Sequence, residues 1–320
     1  MRPTWLLLNG LAAALGQAPG GTPDSQPASQ PEPGGMGKVV DFAPGIRINW
    51  PLRQIEVEAR VVLREGALEL FACSPRTREH ESIVSVAARP RRIYEALGLI
   101  GLAPGAPIRF DEDSESFWPP YGAPVAISVR YEREGRTVTD DISRWMRRAG
   151  ADQPLTERFW VFAGSLRFDE GRFGADLDGT VVCVVDFDTA LLALPQNYSS
   201  SDEQLWLEAN TPAIPPEGTR CTLIFRAADV ARLDVAIGRG GELVMDGREV
   251  PAARVFERLG ELTPGRHGRM LVVVVDEHAL RTDVSKAVAA LLDAGVGETS
   301  LQIRTGPRRA PPSQPAEGLP

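Results

Sequence analysis

The chain has 320 residues, of which 43% are hydrophobic and 24% charged, with a formal net charge of −8. That balance belongs to folded globular material, enough for about two domains, and its acidity argues against a broad nucleic-acid-binding face. Three cysteines (Cys73, Cys183, Cys221) with no C-x-x-C pair exclude a disulfide scaffold, a zinc ribbon and a four-thiolate iron–sulfur cluster.

In chain order, Met1–Thr4 carries one positive charge and Trp5–Leu15 is mostly apolar. Gly16-Gln17-Ala18 then puts small residues where a signal peptidase reads them. The pattern predicts a signal peptide over 1–18 and hence a periplasmic or secreted protein. Ten of the twenty residues from Ala18 to Gly37 are Pro or Gly, and 305–320 holds five prolines in sixteen residues. Such stretches bury too little apolar surface to offset their ordering entropy, so 19–38 reads as a disordered linker and 305–320 as a disordered tail. No uninterrupted apolar run is longer than Met270–Val275, far short of the ~20 residues of a membrane helix.

Residues 39–226 read as a strand-rich domain. Ile55, Val57, Ala59, Val61 and Leu63 alternate with Glu56, Glu58, Arg60 and Arg64, the period of a half-buried strand. Glu65-Gly66 predicts a turn into Ala67–Cys73 and a hairpin between the two. Further strands are predicted over 83–87, 125–131, 136–140, 159–162, 180–186 and 219–225, with a tight turn at Glu134-Gly135. One helix is expected over Arg91–Leu99, with Ile93, Leu97 and Ile100 on one side and Gly101 after it.

Two segments here carry chemistry. The first, Cys73-Ser74-Pro75-Arg76-Thr77-Arg78-Glu79-His80-Glu81-Ser82, gathers a thiol, an imidazole, carboxylates and guanidiniums within ten residues. Cys73, His80 and Glu81 are therefore a candidate thiol or metal site, because a nearby imidazole favours a thiolate. The alternative is a buried Cys at a strand end, followed by a turn whose Arg and Glu pair with each other. The second segment is Phe117-Trp118-Pro119-Pro120-Tyr121-Gly122, behind the acidic run Asp111–Ser116. Trp118, Pro119, Pro120 and Tyr121 form a candidate recognition loop, stiff and cheap to order on binding. The acidic run lacks the Gly and the bidentate Glu of a calcium loop.

These segments, the hairpin, the helix ending in Leu97-Gly98, Trp160-Val161-Phe162-Ala163-Gly164-Ser165 and Pro215-Pro216-Glu217-Gly218-Thr219 come in an order that resembles the YdjY-type domain of bacterial envelope proteins, notably of planctomycetes, over about 50–226. The resemblance implies an envelope role and supplies no reaction. Some relatives carry a ferredoxin-like label, which three scattered cysteines do not support.

Residues 230–304 alternate differently. Leu233–Ile237 and Glu242–Met245 read as strands with a turn at Asp246-Gly247, and Ala252–Leu262 as an amphipathic helix. Met270–Val275 is a buried central strand and Thr282–Ala294 a second helix, with Gly295 as its cap. Ser300–Arg304 is the last strand. The predicted order β-β-α-β-α-β makes a small two-layer α/β sandwich, so the fold class of the whole chain is α+β. Gly241–Gly247, the strand end Val274-Val275-Asp276 and Leu291–Val296 resemble the periplasmic domain of the ExbD/TolR biopolymer-transport family. That family's proton-carrying transmembrane helix has no counterpart before this segment. The resemblance therefore implies protein contacts, including self-association as a homodimer, and not a motor. Asp276, Glu277 and His278, with His267, are read as a solvated strand end more than as metal ligands.

Together these features lead us to expect a secreted cell-envelope binding or scaffolding protein without catalytic activity or cofactor. Its partners would be envelope proteins or peptidoglycan. The alternative is a metal- or thiol-dependent activity at Cys73, His80 and Glu81.

Overall fold

The computed structural model describes residues 38–111, 116–155, 159–195, 205–263, 268–295 and 300–305. The predicted signal peptide, the linker up to Gly37 and residues 306–320 of the predicted tail lie outside the described residues. The chain begins with β1 (Val39–Ala43), β2 (Ile46–Asn49), β3 (Gln54–Val61), β4 (Leu70–Cys73), β5 (Ser82–Val86) and α1 (Pro90–Leu99). It continues through β6 (Arg109–Asp111), β7 (Ser116–Trp118), β8 (Pro124–Arg133), β9 (Arg136–Asp141), β10 (Met146–Arg148), β11 (Trp160–Val161) and α2 (Gly174–Asp178). Then come β12 (Thr180–Cys183), β13 (Leu192–Ala193), β14 (Leu207–Ala209) and β15 (Arg220–Ala227).

Eight of these strands close into a barrel in the order β3-β15-β8-β11-β13-β12-β4-β5, and β5 pairs back onto β3 through Ala59↔Val86, Arg60↔Ser85 and Val61↔Val84. An eight-stranded barrel is just wide enough for side chains to fill. Ile55, Val57, Val129, Trp160, Leu223 and Phe225 do so here, sharing one core with Phe71 and Trp145. Helix α1 starts with Pro90 at its first turn, where the missing N–H costs nothing. It buries Ile93, Ala96, Leu97 and the following Ile100 in the same core. Gly101 (φ 92°) ends the helix in the left-handed region, and the Arg53 guanidinium donates to the Ile100 carbonyl at 3.0 Å.

The predicted hairpin between the third strand and Ala67–Cys73 does not form. β4 pairs with β12 and, in parallel, with β5, while β3 pairs with β2, β15 and β5. All four residues of β4 are buried, so this strand has no solvent face, and its partners in the ring are β12 and β5 and not β3. The Glu134-Gly135 turn joins β8 to β9, both residues at positive φ (53° and 73°), which matches the twist of a two-residue hairpin.

Two long strands share an edge between two partners. β3 pairs with β2 over Gln54–Val57 and with β5 over Ala59–Val61. β8 pairs with β11 over Pro124–Val125 and with β9 over Ser128–Arg133. The barrel wall thus forks on both sides of β15, and the β1–β2 and β8–β9 hairpins extend beyond the ring.

The remaining elements are β16 (Ala231–Ile237), β17 (Leu243–Met245), β18 (Arg248–Glu249), α3 (Ala252–Leu262), β19 (Arg269–Val275), α4 (Arg281–Asp293) and β20 (Ser300–Thr305). They form a five-stranded sheet ordered β18-β17-β16-β19-β20, with β19 parallel to both neighbours. Among the described residues no helix is long and apolar enough to cross a membrane. The unbroken apolar character of β19 has a two-sided cause. Leu271, Val273 and Val275 share a core with Val255 and Leu259 of α3 and Leu291 of α4. Met270 and Val272 turn the other way and bury against Phe159 and Val161 beside the barrel wall, with Val230. The described residues accordingly cluster as one compact unit.

Because Val161 is fully buried in that seam, Val161→Lys places a charge where the two sheets meet. Calorimetry should then show two separate unfolding transitions where the wild-type chain shows one cooperative transition, since the seam is what couples the two cores.

Candidate functional site

The sequence-flagged segment after β4 divides into a buried part and an exposed part. Cys73 ends β4 with no solvent exposure. Arg78 fastens the following loop to the barrel. Its Nη1 meets Glu81 at 2.8 Å and Glu69 at 3.1 Å, and its guanidinium lies 4.6 Å from the centre of the Phe187 ring. Glu81 is thus engaged by Arg78 and, at 3.5 Å, by His80, whose side chain is 77% exposed. The thiol is buried while the imidazole stands in solvent beside Glu81. Among the described residues, no group of three His, Cys, Asp or Glu side chains is placed to hold a metal.

Burial also works against thiolate chemistry. It raises the Cys73 thiol despite partial relief from Ser82, Arg78 and Thr77, raises Cys183 well above its ordinary value, and pushes Cys221 up to about 12. All three cysteines are unpaired and buried.

The second flagged segment is docked on the barrel. The Tyr121 and Ala106 backbones exchange hydrogen bonds at 2.9 and 3.0 Å, Pro120 is buried, and the Arg109 guanidinium lies 5.3 Å from the Tyr121 ring centre. Gly105 and Gly122 make this contact feasible, since a Cβ on either would fall 2.0–2.1 Å from the Tyr121 or Phe162 carbonyl oxygen. Pro119 is half-buried. The Trp118 side chain and residues 112–115 of the acidic run lie outside the described residues. In the C-terminal sheet, Asp276 accepts from the His278 backbone at 2.9 Å and pairs with Arg239 at 3.4 Å, which together hold its carboxyl below the usual range; His267 lies outside the described residues.

A feature that sequence reasoning did not find lies on the outer barrel wall. An open groove of about 780 Å³ runs across the outward-facing residues of β5, β3, β15, β8 and β9, with Pro75 and Glu79 of the flagged loop lining it as well. Register builds its floor. Arg60 lies opposite Ser85 on one side and Arg220 on the other, and Thr222 lies between Glu58 and Arg130. Outward positions alternate with the buried residues that fill the core, so the pleat that packs the barrel also lays out the groove.

Arg130 is held at the groove by Glu56. This carboxylate is only 7% exposed although it points outward from β3. Arg130 Nη2 meets its Oε2 at 2.6 Å, Arg47 Nη2 meets the same atom at 3.0 Å, and Gln54 donates to Oε1 at 3.2 Å. Burial by itself would raise this carboxyl, but Arg130, Arg47 and Gln54 together hold it below the usual range. The signal available in the sequence was a Glu flanked by apolar residues on a long strand. Its partners are supplied by strands 9 and 74 residues away.

The barrel, its forked wall and the outer groove define a strand-rich, single-ring β-domain with an open, arginine- and glutamate-lined groove on its outer face. Residues 46–226, more than half of the chain, match the YdjY domain, and the chain belongs to that family. The match ends where β15 ends and does not extend over the C-terminal sheet. No curated protein and no solved structure matches the chain.

Two outcomes follow from these charges. The folded pKa of Cys221 lies above its unfolded value of roughly 8.5, so its thiol stabilises the fold fully below that pH and loses this contribution as pH rises through about 12. The stability difference between wild type and Cys221→Ala, from urea midpoints, should be constant below pH 8 and shrink at pH 10–11. The native thiols should also resist iodoacetamide at pH 8. Glu56 has the opposite sign: its contribution is present above the unfolded pKa near 4.3 and is lost as pH falls through the lower folded value. Glu56→Gln should cost roughly 1–2 kcal/mol at pH 7, between the values for exposed and fully buried pairs, and the cost should vanish in acid.

Proposed function

We propose that the protein is a secreted cell-envelope binding or scaffolding component without catalytic activity, and that it recognises envelope proteins or cell-wall polymer through the outer groove of its barrel. The observation that carries this reading is the groove itself, an open cleft of about 780 Å³ laid across five strands and edged by Arg60, Arg130, Arg220 and Glu58. A broad, charged, solvent-open surface on a rigid wall suits recognition of an extended partner, because the wall bears no ordering cost on binding. The buried state of Cys73 supports the same choice over thiol- or metal-dependent chemistry at Cys73, His80 and Glu81.

The C-terminal sheet extends the reading. Its order of strands and helices, and the Asp276 strand end, resemble the periplasmic domain of the ExbD/TolR family, and we assign it a protein-contact role, self-association included. β20 forms one edge of that sheet, and an edge strand offers a row of backbone groups to a second chain.

Fractionation of native cells tests the proposal. The mature protein should begin at Pro19 and pellet with the envelope, leaving it only as salt is raised, since the groove's contacts are charged. A protein that keeps Met1 and stays in the soluble cytoplasmic fraction at low salt removes both the signal and the envelope role.

A further inference from the structure

The floor of the groove contains an arrangement that folding alone does not favour. Arg60 and Arg220 are direct cross-strand partners on β3 and β15, so their side chains leave the sheet on the same face from opposed positions. Like charges directly opposite one another in an antiparallel pair destabilise it. Neither guanidinium has a hydrogen bond or ion pair among the described residues. Five neighbouring arginines differ in being tied down: Arg47 and Arg130 to Glu56, Arg78 to Glu69 and Glu81, Arg53 and Arg64 to backbone carbonyls. Arg60 and Arg220 are both exposed, and both line the groove.

The surrounding charges narrow the ligand. Arg130 adds a third guanidinium, already oriented by Glu56, one step along the floor from Arg220. Paired guanidinium forks match the two oxygens of a carboxylate or a phosphate. Glu58 lies two residues from Arg60 on the same face of β3, opposite Thr222, and Glu79 lines the groove from the loop. Neither carboxylate has a side-chain partner among the described residues. A polyanion laid along the groove would meet these carboxylates and be repelled. A ligand with a carboxylate at one end and an ammonium a residue or two away satisfies both rows.

We propose that the groove binds a zwitterionic peptide, its carboxylate held by Arg60 and Arg220 and its ammonium directed to Glu58. This rests on the reading of the groove as the recognition face and deepens it, the ligand being chemistry of the kind that short cell-wall peptides with free carboxyl and amino groups carry.

The test is titration of the full chain, by calorimetry or by chemical-shift mapping at low salt, with soluble peptides released from peptidoglycan. Each peptide is used in its native form, with its carboxyls amidated and with its amine acetylated. Wild type should bind the native peptide, and either modification should weaken binding at least tenfold. Arg60→Ala/Arg220→Ala should weaken it at least tenfold while its thermal midpoint stays at or above that of wild type, since the opposed charges are gone. Glu58→Gln should weaken binding of the free-amine peptide and leave the acetylated peptide unaffected. Equal binding of amidated and native peptides, equal binding by the double variant, or preference for a poly(glycerol phosphate) chain overturns the proposal. Wild type retained on envelope pellets but taking up no peptide sinks the ligand assignment and leaves the envelope reading standing. Peptide binding that needs both arginines, in a protein that never pellets with the envelope, does the reverse.

Discussion

The pairing of β5 with β3 is the contact on which the rest of the domain depends. It is three residues long on each side, Ala59–Val61 against Val84–Val86, yet it turns an open sheet into a closed ring. Closure removes two edges that would otherwise expose unpaired backbone groups, and it encloses the aromatic core of Phe71, Trp145, Trp160 and Phe225. The closing strand is held on its other side by β4, the strand before it in the chain, which runs parallel to it. That seam is also where Arg60 stands, between Ser85 and Arg220, and the groove floor starts there.

Two ionic devices support this wall, and they differ in kind. Arg78 works across a loop: it joins Glu69 and Glu81 and covers Phe187, pinning a charged turn over a buried pair of thiols. Glu56 works across strands, joining β2, β3 and β8 through Arg47 and Arg130. A carboxylate so nearly buried is tolerated because three donors replace the water it loses. Its consequence is rigidity at the groove, where Arg130 is fixed while Arg60 and Arg220 remain unengaged. The charges of the groove are therefore part fixed and part free.

The C-terminal sheet and the barrel meet through apolar side chains only a few positions wide, yet that contact explains a run of six apolar residues. Met270–Val275 reads as a buried strand in any fold, since both of its faces must be covered. One face is covered by α3 and α4, which the helical periodicity of 252–262 and 281–293 anticipates. The other is covered by Phe159 and Val161, more than one hundred positions earlier, which nothing in the local pattern indicates.

The sequence by itself determined what depends on near neighbours. The alternation along 54–61, the Pro90 start and Gly101 stop of α1, the positive-φ turns at Glu134-Gly135 and Asp246-Gly247, and the bounds of α3 all follow from local sterics and periodicity, and all stand in the fold. The tertiary structure alone decided the pairings. It buried Cys73 and left His80 in solvent, withheld the hairpin that Glu65-Gly66 suggested, closed the ring, and buried Glu56 beneath two arginines. It also brought Arg60 beside Arg220 across 160 positions of chain. Strand pairing is chosen by how whole faces bury against one another, and the period of two that marks a strand says which residues share a face but not which strand lies beside it.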